Sequence, residues 1–271
     1  RMAQFDTILR RYGLDDCTRL VARVSRRHHD VMVQVDTECV FRKSRAALHR
    51  AWAETSYRLQ RLRDNPQCAE EAYDSLLDDD DPGLHASVLQ TTSQTPAIAA
   101  AARGVRPRIA ILREQGVNGH LEMAAAFDHA GFAAVDVTMD DLLHGRQHLD
   151  RFQGLAVCGG FSFGDVLGAG LGWAKSILLQ PILEAEFREF FANPNTFALG
   201  VCNGCQMMSA LRTIIPGTDL WPTFERNLSE QFEARMVLVE VLESQSILFR
   251  GMAGVRLPVV VAHGEGRVVF K

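Results

Sequence analysis

No apolar run in this chain of 271 residues approaches the roughly 20 residues of a membrane-spanning helix, which argues against a membrane protein. The start lacks the charged, apolar and small-residue succession of a secretory signal. There is no surplus of positive charge: 29 Lys and Arg face 33 Asp and Glu, giving a formal net charge of -4 and a pI of about 6.2. That balance provides no global basic footprint for nucleic acid. Cysteines are sparse. The six, Cys17, Cys39, Cys68, Cys158, Cys202 and Cys205, are scattered, and without an export signal they read as reduced cytoplasmic thiols rather than a disulfide framework. A Gly-Lys-Ser/Thr phosphate loop is missing, and no second closely spaced cysteine pair exists to complete a zinc site.

What is present, 47% hydrophobic and 23% charged residues, suits one large core or one domain with an appendage. Residues 1–66 contain two short alternating segments, Thr18 to Val24 and Val31 to Val35, which predict strands. Ser44 then caps a predicted helix running to Pro66, with Leu48, Trp52, Thr55, Leu59 and Leu62 along one face. The other face, with Arg45, Arg50, Glu54, Arg58 and Arg61, reads as solvated rather than as a phosphate site. So few elements build no independent core, so 1–66 reads as the tail of another domain. Residues 67–105 read as a linker: the acidic run Asp78 to Asp81, the turn Pro82-Gly83, and the polar, extended stretch Thr91 to Pro96. The aspartates lack the alternating spacing of a calcium loop and read as solvated.

From residue 106 to 271 the pattern becomes strand-helix alternation, which predicts an α/β, doubly wound, mostly parallel sheet. Predicted strands end at Leu112, Val137, Cys158 and Cys202, with a helix at His120 to Ala130 and a helical region over about Trp173 to Phe191. After Pro222 an added β-rich segment contains Ala234 to Val241 and Leu257 to Ala262.

The densest chemistry lies in Phe197-Ala-Leu-Gly-Val-Cys-Asn-Gly-Cys-Gln-Met-Met208. An apolar strand runs into Cys202, glycines flank it two residues away on either side, and a helix follows. That is the pattern of a nucleophile elbow, in which the helix N-terminus behind the sulfur favours thiolate. Cys202 is therefore the expected nucleophile for acyl transfer. Gly159-Gly160 ends another strand; it suits either a sharp turn or a backbone whose N–H meets an oxyanion, with Asn203 giving the second N–H. Gly164 to Gly172 reads as a flexible loop. Cys205 completes a C-x-x-C that a redox couple could use, but the glycines around Cys202 fit the elbow, and Cys205 reads as a buried small residue. His263-Gly-Glu265 could supply a base with its carboxylate, or could simply form a loop between strands. Both remain open on the residues alone.

Leu199 to Gln206, Arg113-Glu-Gln-Gly-Val-Asn118, Cys158-Gly-Gly-Phe-Ser-Phe-Gly-Asp165 and His263-Gly-Glu-Gly-Arg267 together resemble the glutaminase domain of phosphoribosylformylglycinamidine synthase, a class I glutamine amidotransferase. Trp52 to Ser56 and Arg61 to Pro66 resemble the end of its synthetase portion. The resemblance implies a flavodoxin-like fold, with Cys202 attacking the side-chain amide of glutamine to form a thioester and release ammonia. It implies oxyanion N–H groups from Gly160 and Asn203, and glutamine binding by Gln206. Asn227, Ser229, Phe232 and Arg235 match a family segment bordering the same site, which implies that they too bind glutamine.

Membership of that family would place the triad histidine and glutamate in a His-Pro-Glu motif, so His263 and Glu265 are not assigned to the triad. This sequence reaches Lys271 without that motif and reads as a fragment truncated before the domain's end. The implied partners are glutamine and the synthetase portion of the same polypeptide, where ATP and Mg2+ would act; no nucleic acid, membrane, metal or cofactor is expected on these residues. Two other readings stand beside it. One is an inactive docking module for the synthetase body, and the other is a cysteine hydrolase of related elbow architecture.

Overall fold

Side-chain caps fix the early helices in the computed structural model, which describes residues 2–22, 24, 29–78, 80–87, 104 and 106–270. Helix α1 spans Met2–Arg11, and strands β1 (Asp30–Val35) and β2 (Glu38–Ser44) form an antiparallel hairpin. Ser44 Oγ accepts the Ala47 N–H at 3.1 Å and starts α2 (Arg45–Arg63). Asn65 Oδ1 accepts from Gln67 and Cys68, and Pro66 opens α3 (Pro66–Asp74), where its missing N–H costs nothing. These elements belong to one compact unit, Arg1–Asp81; the other is Pro82–Lys271.

The first unit departs from the sequence reading in two places. Thr18 to Val24, read as a strand, forms none among its described residues, and β1 pairs with β2. A two-residue turn at Asp36-Thr37 joins adjacent segments at a lower entropic cost than a longer loop would. Helix α3 also occupies the start of the span read as linker. Asp79 and Thr91 to Pro96 lie outside the described residues. The apolar face of α2 is uncovered: Trp52, Leu59 and Leu62 are 82%, 63% and 86% exposed. Its Arg50 is ion-paired with Asp74 at 2.8 Å and lies 4.0 Å above the Tyr73 ring.

In the second unit, β3 (Arg108–Arg113), β4 (Ala133–Thr138), β5 (Gly154–Val157) and β6 (Phe197–Gly200) make one parallel sheet in the order β4-β3-β5-β6. Helices α4 (His120–His129), α5 (Met139–Leu143), α6 (Leu171–Leu178), α7 (Pro181–Ala192) and α8 (Asn203–Ala210) complete the α/β layers. Alternate residues of β3 feed opposite faces, as the twofold period of a strand requires. Ala110 and Leu112 join Trp173, Phe187 and Met207, whereas Ile109 and Ile111 join Ala156, Phe127 and Phe197. Both faces are therefore buried, and the strand carboxyl ends are left as the open edge.

The helical region read over about Trp173 to Phe191 consists of two helices. Pro181 cannot donate to the preceding turn, so it begins α7 instead of continuing α6. The β-rich end forms two antiparallel ribbons, β8 (Glu233–Glu240) with β9 (Arg256–His263), and β7 (Thr223–Glu225) with β10 (Arg267–Val269). Among the described residues no helix is long and apolar enough to cross a membrane.

Candidate active site

Strand β6 delivers the chain to a sharp reversal. Val201 still donates its N–H to Val157 O at 3.0 Å, as a continuation of the sheet, and α8 begins two residues later. Cys202 between them has φ 54° and ψ −118°, a conformation that costs a non-glycine residue about 1–3 kcal/mol. The elbow needs Gly204. A Cβ there would come within 2.6 Å of the Val157 carbonyl carbon and closer still to its oxygen. Cys202 is exposed at the tip.

The loops after β3 and β5 run alongside each other beneath this tip. Asn118 N–H donates to Gly159 O at 2.8 Å, and Phe161 N–H donates to Gly116 O at 2.9 Å. Gly160 sits at φ 132°, where an L side chain is strained, and a Cβ would meet Gly116 O at 2.6 Å. Its own N–H finds no protein acceptor among the described residues. Asn203 N–H, the first of α8, also has none, as expected at a helix start. Arg113, ahead of these loops, is clamped to Asp136 by two 2.8 Å bonds, which hold that carboxyl below the usual range.

The stretch read as a flexible loop has a defined course. Phe163, Gly164 and Asp165 all have positive φ, and the turn is held from below by the fully buried Asn203. Asn203 Oδ1 accepts the Ser162 N–H at 3.1 Å, and its Nδ2 donates to Asp165 Oδ1 at 2.9 Å. Asp165 also accepts the Gly170 N–H at 3.3 Å. Aspartate at 165 was missed as a structural residue. Its signal is the Gly164-Asp165 pair, two residues suited to left-handed backbone.

A cavity of about 230 Å³ opens in front of the thiol, lined by Gly160, Cys202, Gln206, Phe232, His263 and Glu265 among others. Gln206 Nε2 donates to Glu265 O at 2.7 Å, so α8 and the turn after β9 are tied across it. The Glu265 carboxylate accepts the Ala169 N–H, so it is already engaged with the neighbouring loop. His263 lines the cavity with Nδ1 3.0 Å from Asn227 Oδ1.

The sequence-derived residues divide accordingly. Cys202, Gly160, Gln206 and Phe232 meet at the cavity, and Asn203 lies directly beneath it. Asn227 lies behind the wall, bonded to the His263 to Gly266 turn. Ser229 Oγ donates to Glu233 Oε1 at 2.7 Å, and Arg235 is ion-paired with the same carboxylate; neither lines the cavity. Cys205 was expected to be buried and is exposed, because the buried face of α8 carries Asn203, Gly204, Met207 and Met208 and Cys205 lies off that face. Its thiol is nevertheless pushed up, first by desolvation and then by Cys202. Cys158 is buried at the end of β5, and its thiol is raised to about 11, chiefly by that burial. Among the described residues no three His, Cys, Asp or Glu side chains are grouped to hold a metal ion.

Residues 106–271 match the family model of the CobB/CobQ-like glutamine amidotransferase domain. Among solved structures, PurLQS from Thermotoga maritima is similar at 24% identity and a TM-score of 0.48, over 62% of this chain and 71% of that one. A glutamine amidotransferase from the same organism is similar at 21% identity and a TM-score of 0.39, over 62% of this chain and 63% of that one.

Proposed function

The chain belongs to the CobB/CobQ-like glutamine amidotransferase family, and from that membership we propose that Cys202 releases ammonia from the side chain of glutamine. The observation that carries the proposal is the elbow: an exposed thiol with φ 54° at the mouth of a helix, opening on a cavity large enough for an amino acid. Cys202 Sγ, as thiolate, forms a C–S bond to the amide carbon. The carbonyl oxygen becomes an oxyanion beside the unpaired N–H groups of Gly160 and Asn203. Collapse breaks the C–N bond, the proton given up by the Cys202 thiol passes to the leaving nitrogen, and ammonia departs. Water then cleaves the thioester to glutamate and restores the thiol. Gln206 and Phe232 contact the glutamine from the cavity walls.

The finer reading is the glutaminase part of phosphoribosylformylglycinamidine synthase. Its support is the resemblance of four separate motifs, at Arg113, Cys158, Leu199 and His263, to that enzyme. On this reading the ammonia serves the ATP- and Mg2+-dependent conversion of formylglycinamide ribonucleotide to its amidine, in the synthetase portion.

A second reading gives His263 the role of base for Cys202. One observation favours it: the imidazole lines the same cavity, with its ring held by an amide oxygen. Against Glu265 as its orienting carboxylate stands the bond from Ala169.

Both readings are tested with a glutamine analogue that carries a chloroketone in place of the amide. It should alkylate Cys202 in competition with glutamine, as mapped by peptide mass spectrometry. Alkylation of Cys205 alone would refute the assignment. In His263→Asn, iodoacetamide labelling of Cys202, which needs no amino-acid subsite, should keep its pH profile if His263 is not the base and lose its dependence near neutral pH if it is.

A further inference from the structure

The turn from His263 to Gly266 provides part of the cavity wall, and almost nothing in its own sequence stiffens it. We infer that Asn227 is the positioning residue that sets this turn, and with it the shape of the cavity beside Cys202. The inference rests on the reading of that cavity as the glutamine site.

Asn227 is only 6% exposed, and its side chain is fully committed. Nδ2 donates to His263 O at 2.8 Å and to Gln231 O at 3.0 Å. Oδ1 accepts the Gly266 N–H at 3.0 Å and lies 3.0 Å from His263 Nδ1. The main-chain N–H donates to Gly264 O at 2.9 Å. An amide has two N–H donors and two acceptor lone pairs, so no capacity remains for a ligand. Asn227 therefore acts on the wall rather than on glutamine.

The same bonds fix a tautomer. Two carbonyl acceptors identify the Nδ2 end of the amide, so the atom facing His263 Nδ1 is oxygen and can only accept. Neutral His263 thus carries its proton on Nδ1 and presents Nε2 as an acceptor. A Cβ on residue 266 would collide with the imidazole, so ring and turn are packed as one piece. From Glu265 the constraint passes to Gln206 through its carbonyl and to Ala169 through its carboxylate. Asn227 is hence the anchor of a strap linking the end of β9, the first turn of α8 and the loop before α6.

The test uses the full chain with Asn227→Ala and Asn227→Asp; the aspartate keeps the volume and an acceptor but loses both donors. Labelling of Cys202 by the glutamine chloroketone should fall about tenfold or more, since a misplaced wall costs reaction geometry steeply. Labelling by iodoacetamide, which needs no amino-acid subsite, should stay within about twofold on the same reasoning. Unchanged chloroketone labelling in both variants would overturn the inference. So would an equal fall with both reagents accompanied by loss of cooperative melting, which would mean Asn227 merely supports the fold. Ring-nitrogen NMR of His263 supplies a readout independent of glutamine. The wild type should show the Nδ1–H tautomer and Asn227→Ala a mixture, and an unaltered tautomer would count against the anchor. If the wild type takes no chloroketone at all, the glutamine reading fails, and the tautomer alone decides the role of Asn227.

Discussion

Two thiols near the strand ends illustrate how little sequence spacing says about reactivity. Cys158 stands at the end of β5 as Cys202 stands beyond β6, yet burial lifts its thiol to about 11 and denies it access to reagents. Near neutral pH it stays protonated, and a thiol is a poor nucleophile. Brief treatment of the folded chain with iodoacetamide at pH 7.5 should therefore modify Cys202 and leave Cys158 intact until denaturant is added. Peptide mass spectrometry reads both states, and early modification of Cys158 would contradict the burial argument. Gly204 gives the complementary prediction. Its missing side chain admits the Val157 carbonyl, a backbone group that cannot swing aside. Gly204→Ala should cost about 3 kcal/mol or more, at the upper end of overpacking penalties, whereas Gly217→Ala meets nothing within 4 Å and should cost about 1 kcal/mol for its φ of 75°. Urea titration compares the two, and equal midpoints would mean the elbow is looser than its contacts indicate.

Among the elements, α5 is short enough for its cap to decide whether it forms. Thr138 Oγ1 donates to Asp141 Oδ2 at 2.6 Å, Asp141 N–H donates to Thr138 Oγ1 at 3.1 Å, and Arg146 Nε reaches Asp141 Oδ1 at 2.7 Å. The Thr138 hydroxyl first, then Arg146 and the Thr138 N–H, hold this carboxyl down from 3.8 to about 2. A depressed folded-state pKa stabilises the fold above the unfolded value, and that contribution disappears as pH falls through the folded one. Asp141→Asn should thus destabilise by about 1 kcal/mol at pH 6, with the gap from wild type closing toward pH 2. Thermal melts across that range test it; a gap that persists at pH 2 would remove the carboxylate from the explanation. The Ser44 cap and the apolar runs of β3 and β5 were legible because each signal is local and strong. Strand β2 was not legible, since Glu38 to Ser44 mixes charge with apolar residues and both its faces are open. Nor was the course of residues 162–170, because Asn203 and Glu265, which hold it, are distant in sequence. The sharp turn at Cys202 could be read from its flanking glycines, but the anchoring role of Asn227 could not. That role depends on β8 and β9 pairing so that Glu233 lies opposite His263.

Across the whole molecule, apolar burial is distributed very unevenly between the two units. The second unit encloses Trp173, Phe152, Phe187, Ile109, Leu155 and Met207 without solvent contact, on both faces of its parallel sheet. In the first unit, among the described residues, only Ala46 and Ala69 are buried. The outer face of α2 is open, and Val31, Val33, Val35 and Phe41 of the hairpin are exposed as well. Two alanines and a two-stranded hairpin cannot offset the entropy of ordering some eighty residues at about 1–2 kcal/mol each. Helical bonds in α1, α2 and α3 can still form locally, with the caps at Ser44 and Asn65 in place. A polypeptide of residues 1–81 should then show a helical far-ultraviolet signal that melts gradually, with weak near-ultraviolet dichroism. Residues 82–271, which carry Cys202 and the sheet core, should unfold in one cooperative transition and retain chloroketone labelling. A steep, two-state melt of 1–81 on its own would show that its exposed apolar faces are not the measure of its stability.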